Sequence, residues 1–149
     1  MATSTPLHAA KYPAAKTLDG PAKGAFVGKR ARFNWLQIDF GAEMTDIGVV
    51  EVTKVFGYEH RIRQAEVRIG NTETATSHGL NRITSNELCD EYATYSHSLW
   101  AVFTCFVPLT GRYLTLQTMV TDFVTIDEIH VNRLTGEWLD NKLYMDLFK

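Results

Sequence analysis

Short apolar segments rich in β-branched and aromatic residues recur along the chain between clusters of Gly, Asn, Thr and Pro, a spacing that predicts strands rather than helices. Six strands are expected, over 35–40, 49–55, 65–69, 99–106, 112–117 and 126–131. In Ala65-Glu66-Val67-Arg68-Ile69 and in Tyr113-Leu114-Thr115-Leu116-Gln117 apolar and polar residues alternate with period two, so one side of each strand faces a core. No window carries a sustained helical period. Asp19-Gly20-Pro21, Gly41, Gly70-Asn71, Gly79 and Thr110-Gly111 punctuate the segments. Pro108-Leu109-Thr110-Gly111-Arg112 reads as a tight turn in which Gly111 supplies a positive φ. The polar, Thr- and Ser-rich stretch 72–86 reads as a long surface loop. The pattern as a whole is that of an all-β sandwich or barrel.

A length of 149 residues is the usual size of one domain, so 1–149 is expected to form a single domain, with 135–149 as a C-terminal extension carrying Trp138, Leu143, Tyr144 and Phe148. The formal net charge of -2 exerts no general pull on nucleic acid or membrane, and nucleic acid is not an expected partner. No apolar run approaches the roughly 20 residues that span a bilayer, and the first residues lack the basic start and apolar stretch of a signal peptide. Two cysteines, Cys89 and Cys105, are compatible with one bridge or with two buried thiols, and neither sits in a Cys-x-x-Cys pair.

Four segments, taken in order, change the picture. They are 14–20, ending in Leu18-Asp19-Gly20; Trp35-Leu36-Gln37-Ile38-Asp39-Phe40-Gly41; Arg61-Ile62 followed by Val67-Arg68-Ile69-Gly70-Asn71; and Gly111-Arg112-Tyr113-Leu114. In sequence and in spacing they resemble the F-type (fucose-binding) lectins of the discoidin superfamily over about 120 residues. The resemblance implies an antiparallel jelly-roll, discoidin-like (galactose-binding-domain-like) β-sandwich. It also implies a Cys89–Cys105 disulfide, because F-type lectins carry a bridge of that spacing just before the Gly-Arg-Tyr strand. A bridge favours an oxidising compartment, and hence a secreted, extracellular protein.

The family holds fucose with a His and two basic residues on loops at one end of the barrel. Carried over by position, Arg61 falls on the second basic residue and Lys54 on the first. Phe26 falls at or beside the His, Phe56 on an Asp, and Gly57-Tyr58 on a sugar-stacking Cys pair. The fucose motif is thus degenerate. What remains is an expected rim of Phe26, Phe33, Phe56 and Tyr58 ringed by Lys23, Lys29, Arg30, Arg32, Lys54, His60, Arg61 and Arg63. Between Gly20 and Asn34 the chain carries Lys23, Lys29, Arg30 and Arg32 and no acid, so the local field is positive and suits an anionic group. The resemblance further implies a structural calcium site, in which Asp19 and Glu128 occupy the carboxylate positions; calcium takes six to eight oxygens.

Catalytic patterns are missing: the histidines have no metal-ligand spacing, and neither a nucleophile elbow nor a phosphate-cradling loop occurs. Asp127 and Glu128 are neighbours on an expected strand and point opposite ways. The expected function is therefore non-enzymatic carbohydrate binding, with a glycan or glycoprotein as partner. The alternative is a discoidin-type adhesion module for a partner protein or an anionic lipid surface, and an oligomer is compatible with either.

Overall fold

The computed structural model describes residues 2–4, 25–28, 30–73, 81–92 and 96–134. Asp19, Lys23, Lys29 and the extension 135–149 lie outside them. Seven strands follow in order: β1 (Ala2–Ser4), β2 (Phe26–Val27), β3 (Trp35–Lys54), β4 (Ala65–Gly70), β5 (Glu87–Tyr92), β6 (Trp100–Thr118) and β7 (Thr125–Arg133). They hydrogen-bond in the order β2-β7-β3-β6-β4-β5, with β1 added to β3, and every pairing is antiparallel.

Two long strands build the sandwich. The first half of β3 pairs with the second half of β6, from Trp35↔Gln117 to Asp39↔Tyr113, and the second half of β3 pairs with the first half of β6, from Val49↔Thr104 to Thr53↔Trp100. Between the halves the register shifts three times, at Asp39/Met44, Met44/Ile47 and Ile47/Val49. Such bulges bend a hairpin without ending it. One layer, completed by β1, β4 and β5, contributes Leu36, Ile38, Val67, Ile69, Leu114 and Leu116 to the core. The other, completed by β7 and β2, contributes Val50, Val52, Phe103, Ile126 and Ile129, and all of these form one contiguous buried cluster. The period-two reading of 65–69 and 113–117 places the right residues inward.

Two expectations need correction, the strand breaks and the turn at 108–112. The segments 35–40 and 49–55 are one strand, as are 99–106 and 112–117. The supposed turn at 108–112 is continuous β6, and Gly111 has no positive φ. Gly111 is instead a point of close approach: a Cβ there would stand 2.5 Å from the backbone N of Gly70. The described parts of the expected surface loop, 72–73 and 81–86, carry no strand and are mostly exposed, and 81–86 lies as a strap against β4 and β6. Ile83 is buried and its N–H donates to Gln117 Oε1 at 2.7 Å, while Gln117 Nε2 donates to Glu66 Oε1 at 2.8 Å. Glu66, itself buried, also accepts from Arg68 Nε at 2.8 Å and from Arg82 Nη2 at 2.7 Å. Burial pushes the Glu66 carboxyl up, but the hydrogen bonds and charges of Arg82 and Arg68 outweigh it and leave the group below its ordinary range.

The expected bridge is present, joining Cys89 of β5 to Cys105 of β6. On the outward side of β6, Trp100, Val102 and Phe106 remain exposed.

Candidate functional site

The second half of β3 ends in a turn whose geometry depends on Gly57. Its φ is +81°, a region that side chains with a Cβ avoid. Tyr58 N–H closes the turn on Val55 O at 3.0 Å, and Gly57 N–H donates to Glu59 Oε1 at 2.9 Å, which holds the Glu59 carboxyl below its ordinary range. The turn projects Phe56 into solvent, 83% exposed. A 3-10 turn, Glu59–Arg61, follows and carries His60, which is partly buried.

Arg61 is the best-positioned polar group at this end. Its guanidinium carbon lies 4.1 Å from the Tyr58 ring centroid and 4.9 Å from that of Phe123, so the planar group is held between two aromatic faces. Nη1 donates to Thr125 Oγ1 at 2.9 Å. Arg63 reaches Asp122, with Nη2 to Oδ2 at 3.5 Å. The Nε atoms of Arg61 and Arg63 are shielded from solvent and have no hydrogen-bond partner among the described residues.

The 119–124 turn supplies the other wall of the site. Asp122 O accepts from Ala31 N–H at 3.2 Å and from Asn34 Nδ2 at 3.0 Å, and Val124 O accepts from Gly28 N–H at 2.8 Å. These bonds stitch the basic 28–34 segment beside Arg61. Arg30 and Arg32 are exposed there, and Arg32 lies 4.8 Å over the Phe33 ring.

Of the rim residues read from sequence, Phe56, Tyr58, His60, Arg61 and Arg63 gather at one end, and Arg30 joins them through the 28–34 segment. Phe26 and Lys54 do not belong to the rim. Phe26 pairs with Ile126 across β2 and β7 and points into the core, 2% exposed. Lys54 is equally buried; its Nζ donates to Tyr92 Oη at 3.2 Å and to Ser96 O at 3.1 Å, and lies 5.0 Å from the Tyr92 ring centroid. Counting positions from a motif ignored the pleat, which sends alternate side chains inward. Sequence reasoning missed Phe123, Thr125 and Asp122. The one signal was an aromatic beside an Asp in the interval between two strands.

Of the two carboxylates proposed for calcium, Asp19 lies outside the described residues and Glu128 is buried on β7 opposite Thr53. Among the described residues no three His, Cys, Asp or Glu side chains gather.

No protein-family model and no curated protein matches the sequence. Solved structures do match. A fucolectin from striped bass (Morone saxatilis) serum superposes over 91% of this chain with a TM-score of 0.73 and 22% identity; the match spans 45% of that longer chain. The chain shares the all-β, antiparallel fold of this structure. The lectin domain of Lectinolysin complexed with Lewis B antigen matches with a TM-score of 0.71 and 14% identity, over 91% of this chain and 93% of that one. The family 32 carbohydrate-binding module of Clostridium perfringens NanJ, in complex with galactose, matches at 0.66 and 18% identity over 88% and 90% of the two chains. In such a jelly roll the loops between strands collect at the ends, where Tyr58, Arg61 and Phe123 meet.

Proposed function

We propose that this chain is a non-catalytic, extracellular carbohydrate-binding domain that holds an anionic glycan on Arg61. The observation that carries the reading is the clamped guanidinium. Stacked between Tyr58 and Phe123 and tied to Thr125, Arg61 has few rotamers left to lose, so binding through it costs little ordering entropy. A planar fork of donors matches a carboxylate or sulfate oxygen pair. Exposed Phe56 and Tyr58 offer apolar surface for the C–H face of a sugar ring beside it. Arg30 and Arg32 add positive field, while Arg63 is offset by Asp122. The neighbours' carbohydrate complexes support the class of ligand, and the Cys89–Cys105 bridge goes with an oxidising compartment.

The loss of the family's His and first Arg implies that free L-fucose binds weakly. A glycan array that includes sialylated and sulfated structures, run beside pelleting with phosphatidylserine vesicles, tests the reading. Binding to anionic glycans, weakened by Arg61→Ala, is the expected outcome. Vesicle binding without any glycan binding would replace it with an adhesive role for the Phe56 tip.

A further inference from the structure

Near the Arg61 loop, at the end of the sheet where β4 begins and β5 and β6 end, lies an open cleft of about 260 Å³ lined by Gln64, Ala65, Glu66, Glu91, Tyr92 and Met119. We propose that this cleft is a second sugar subsite, taking a neutral pyranose ring linked to the anionic unit on Arg61. The inference rests on the glycan reading above and extends it to the length and charge pattern of the ligand.

Size comes first. The volume falls just below the roughly 300 Å³ at which pockets for drug-sized ligands begin, which fits one ring rather than a chain. The walls then match the two chemistries of a pyranose. Tyr92 is a partly buried aromatic packed against the core: Lys54 Nζ donates to its Oη and lies 5.0 Å from its ring centroid, and the Phe103 ring packs at 6.0 Å, so the side chain is held in place before a ligand arrives. With the Met119 thioether it gives an apolar surface for ring C–H groups.

The polar lip is made by Gln64 and Glu91. Gln64 is exposed and adopts φ 45°, a left-handed backbone that is uncommon for a residue other than Gly, Asn or Asp. Its carbonyl accepts from Met119 N–H at 2.8 Å, which locks the β4 approach to the end of β6 in this conformation. Retaining a side chain at a strained position is the kind of outlier that marks ligand contacts. The Glu91 carboxylate is 58% exposed, with one long contact of 3.8 Å to Arg82, and can accept from sugar hydroxyls.

Charge decides the class. Glu66 lines the cleft, but its carboxylate is buried and saturated by Arg68, Arg82 and Gln117. Glu91 is the acid left facing the opening, so a second anionic unit would be repelled where a neutral ring is accepted. Reach is adequate. Arg61 and Gln64 are three residues apart, a span of at most about 11 Å of chain, which two or three linked rings can bridge.

Calorimetry with N-acetylneuraminic acid and with 3′-sialyllactose tests the subsite. The trisaccharide should bind about tenfold more tightly, a difference of about 1.4 kcal/mol. Gln64→Gly keeps the positive φ that glycine adopts freely and deletes the side chain with its amide; Glu91→Ala alters an exposed group. Each variant should erase at least threefold of the trisaccharide's advantage, the double variant all of it, and neither should alter binding of N-acetylneuraminic acid. Equal affinity of the two sugars for the wild type, or an advantage that survives in the double variant, overturns the subsite and leaves the Arg61 reading intact. If the folded wild type binds neither sugar at about 20 mM, the Arg61 reading itself falls and the subsite with it.

Discussion

Replacing Gly111 by Ala adds one methyl group at the place where β6 crosses closest to β4. That methyl carbon would lie 2.5 Å from Gly70 N, 2.6 Å from its Cα and 2.7 Å from its O. Ordinary contact needs a further 0.8 Å or so, and the opposing atoms are backbone, which cannot rotate away. Overpacking of this kind costs about 1–3 kcal/mol, and rigid strand atoms place Gly111→Ala at the upper end. Removing glycine's freedom in the unfolded chain returns about 0.4–1 kcal/mol, so the net loss should be about 2–2.6 kcal/mol. For a chain of this size that lowers Tm by roughly 5–10 °C. Gly41→Ala is the matched control. It meets no atom within 4 Å but must hold φ +81°, a strain of about 1–2 kcal/mol. Urea unfolding of oxidised protein, followed through the buried Trp35, measures both. If Gly111→Ala stays within about 0.5 kcal/mol of wild type, or costs less than Gly41→Ala, the close approach of β4 and β6 is wrong.

Arg61→Ala should weaken binding of 3′-sialyllactose about tenfold or more, whereas Arg30→Ala, which removes an exposed charge outside the aromatic clamp, should cost no more than about threefold by calorimetry. Raising salt from about 0.1 M to about 1 M shrinks the Debye length from about 10 to about 3 Å and should lower that affinity; an unchanged constant would mean an apolar contact through Phe56 and Tyr58. Asp39 takes a two-pronged hydrogen bond from Arg112, Nε to Oδ1 at 2.7 Å and Nη2 to Oδ2 at 2.8 Å, and a further one from Gly41 N–H. These bonds lower its pKa from 3.8 to about 2. A carboxyl with a depressed folded-state pKa stabilises fully above its ordinary value and loses that contribution as pH falls toward the folded value. Wild type should therefore lose more stability than Asp39→Asn in urea titrations between pH 5 and pH 2; parallel curves would contradict the pairing.

Strands that alternate or carry β-branched runs were legible in the sequence because the period-two pattern records which side faces the core. β4 and β7 fall within two residues of expectation at each end. The breaks were less legible. Gly41 to Gly48 and Pro108 look like strand ends, yet Pro108 falls between the pairs Ile47↔Leu109 and Val49↔Thr104, where β6 bulges and no ladder bond is lost. β5, with Glu87, Asp90 and Glu91 among its residues, lacks an apolar period because only Cys89 points fully inward. β1 and β2 are too short to show any period. At the site, Arg61 was legible through its spacing to Gly70-Asn71, a local feature of the chain. Its clamp partner Phe123 comes from another turn, and that kind of proximity is set by strand order rather than by spacing.

From residue 99 to 111 the chain carries no charge, and the first part of that stretch is the last strand of its layer. Lys54 N–H bonds Leu99 O, so Trp100, Val102 and Thr104 direct their amides away from β3. Two of those amides are capped by side chains: Trp100 N–H by Ser98 Oγ at 3.2 Å and Thr104 N–H by Asp90 Oδ2 at 2.8 Å. Asp90 is kept there by its neighbour Cys89, bonded to Cys105. The bridge thus holds a carboxylate guard over a strand that would otherwise be an uncharged, aromatic-rich template for stacking between molecules. Reduction removes the guard along with the crosslink, and turbidity that grows with protein concentration in reducing buffer is the form its loss takes.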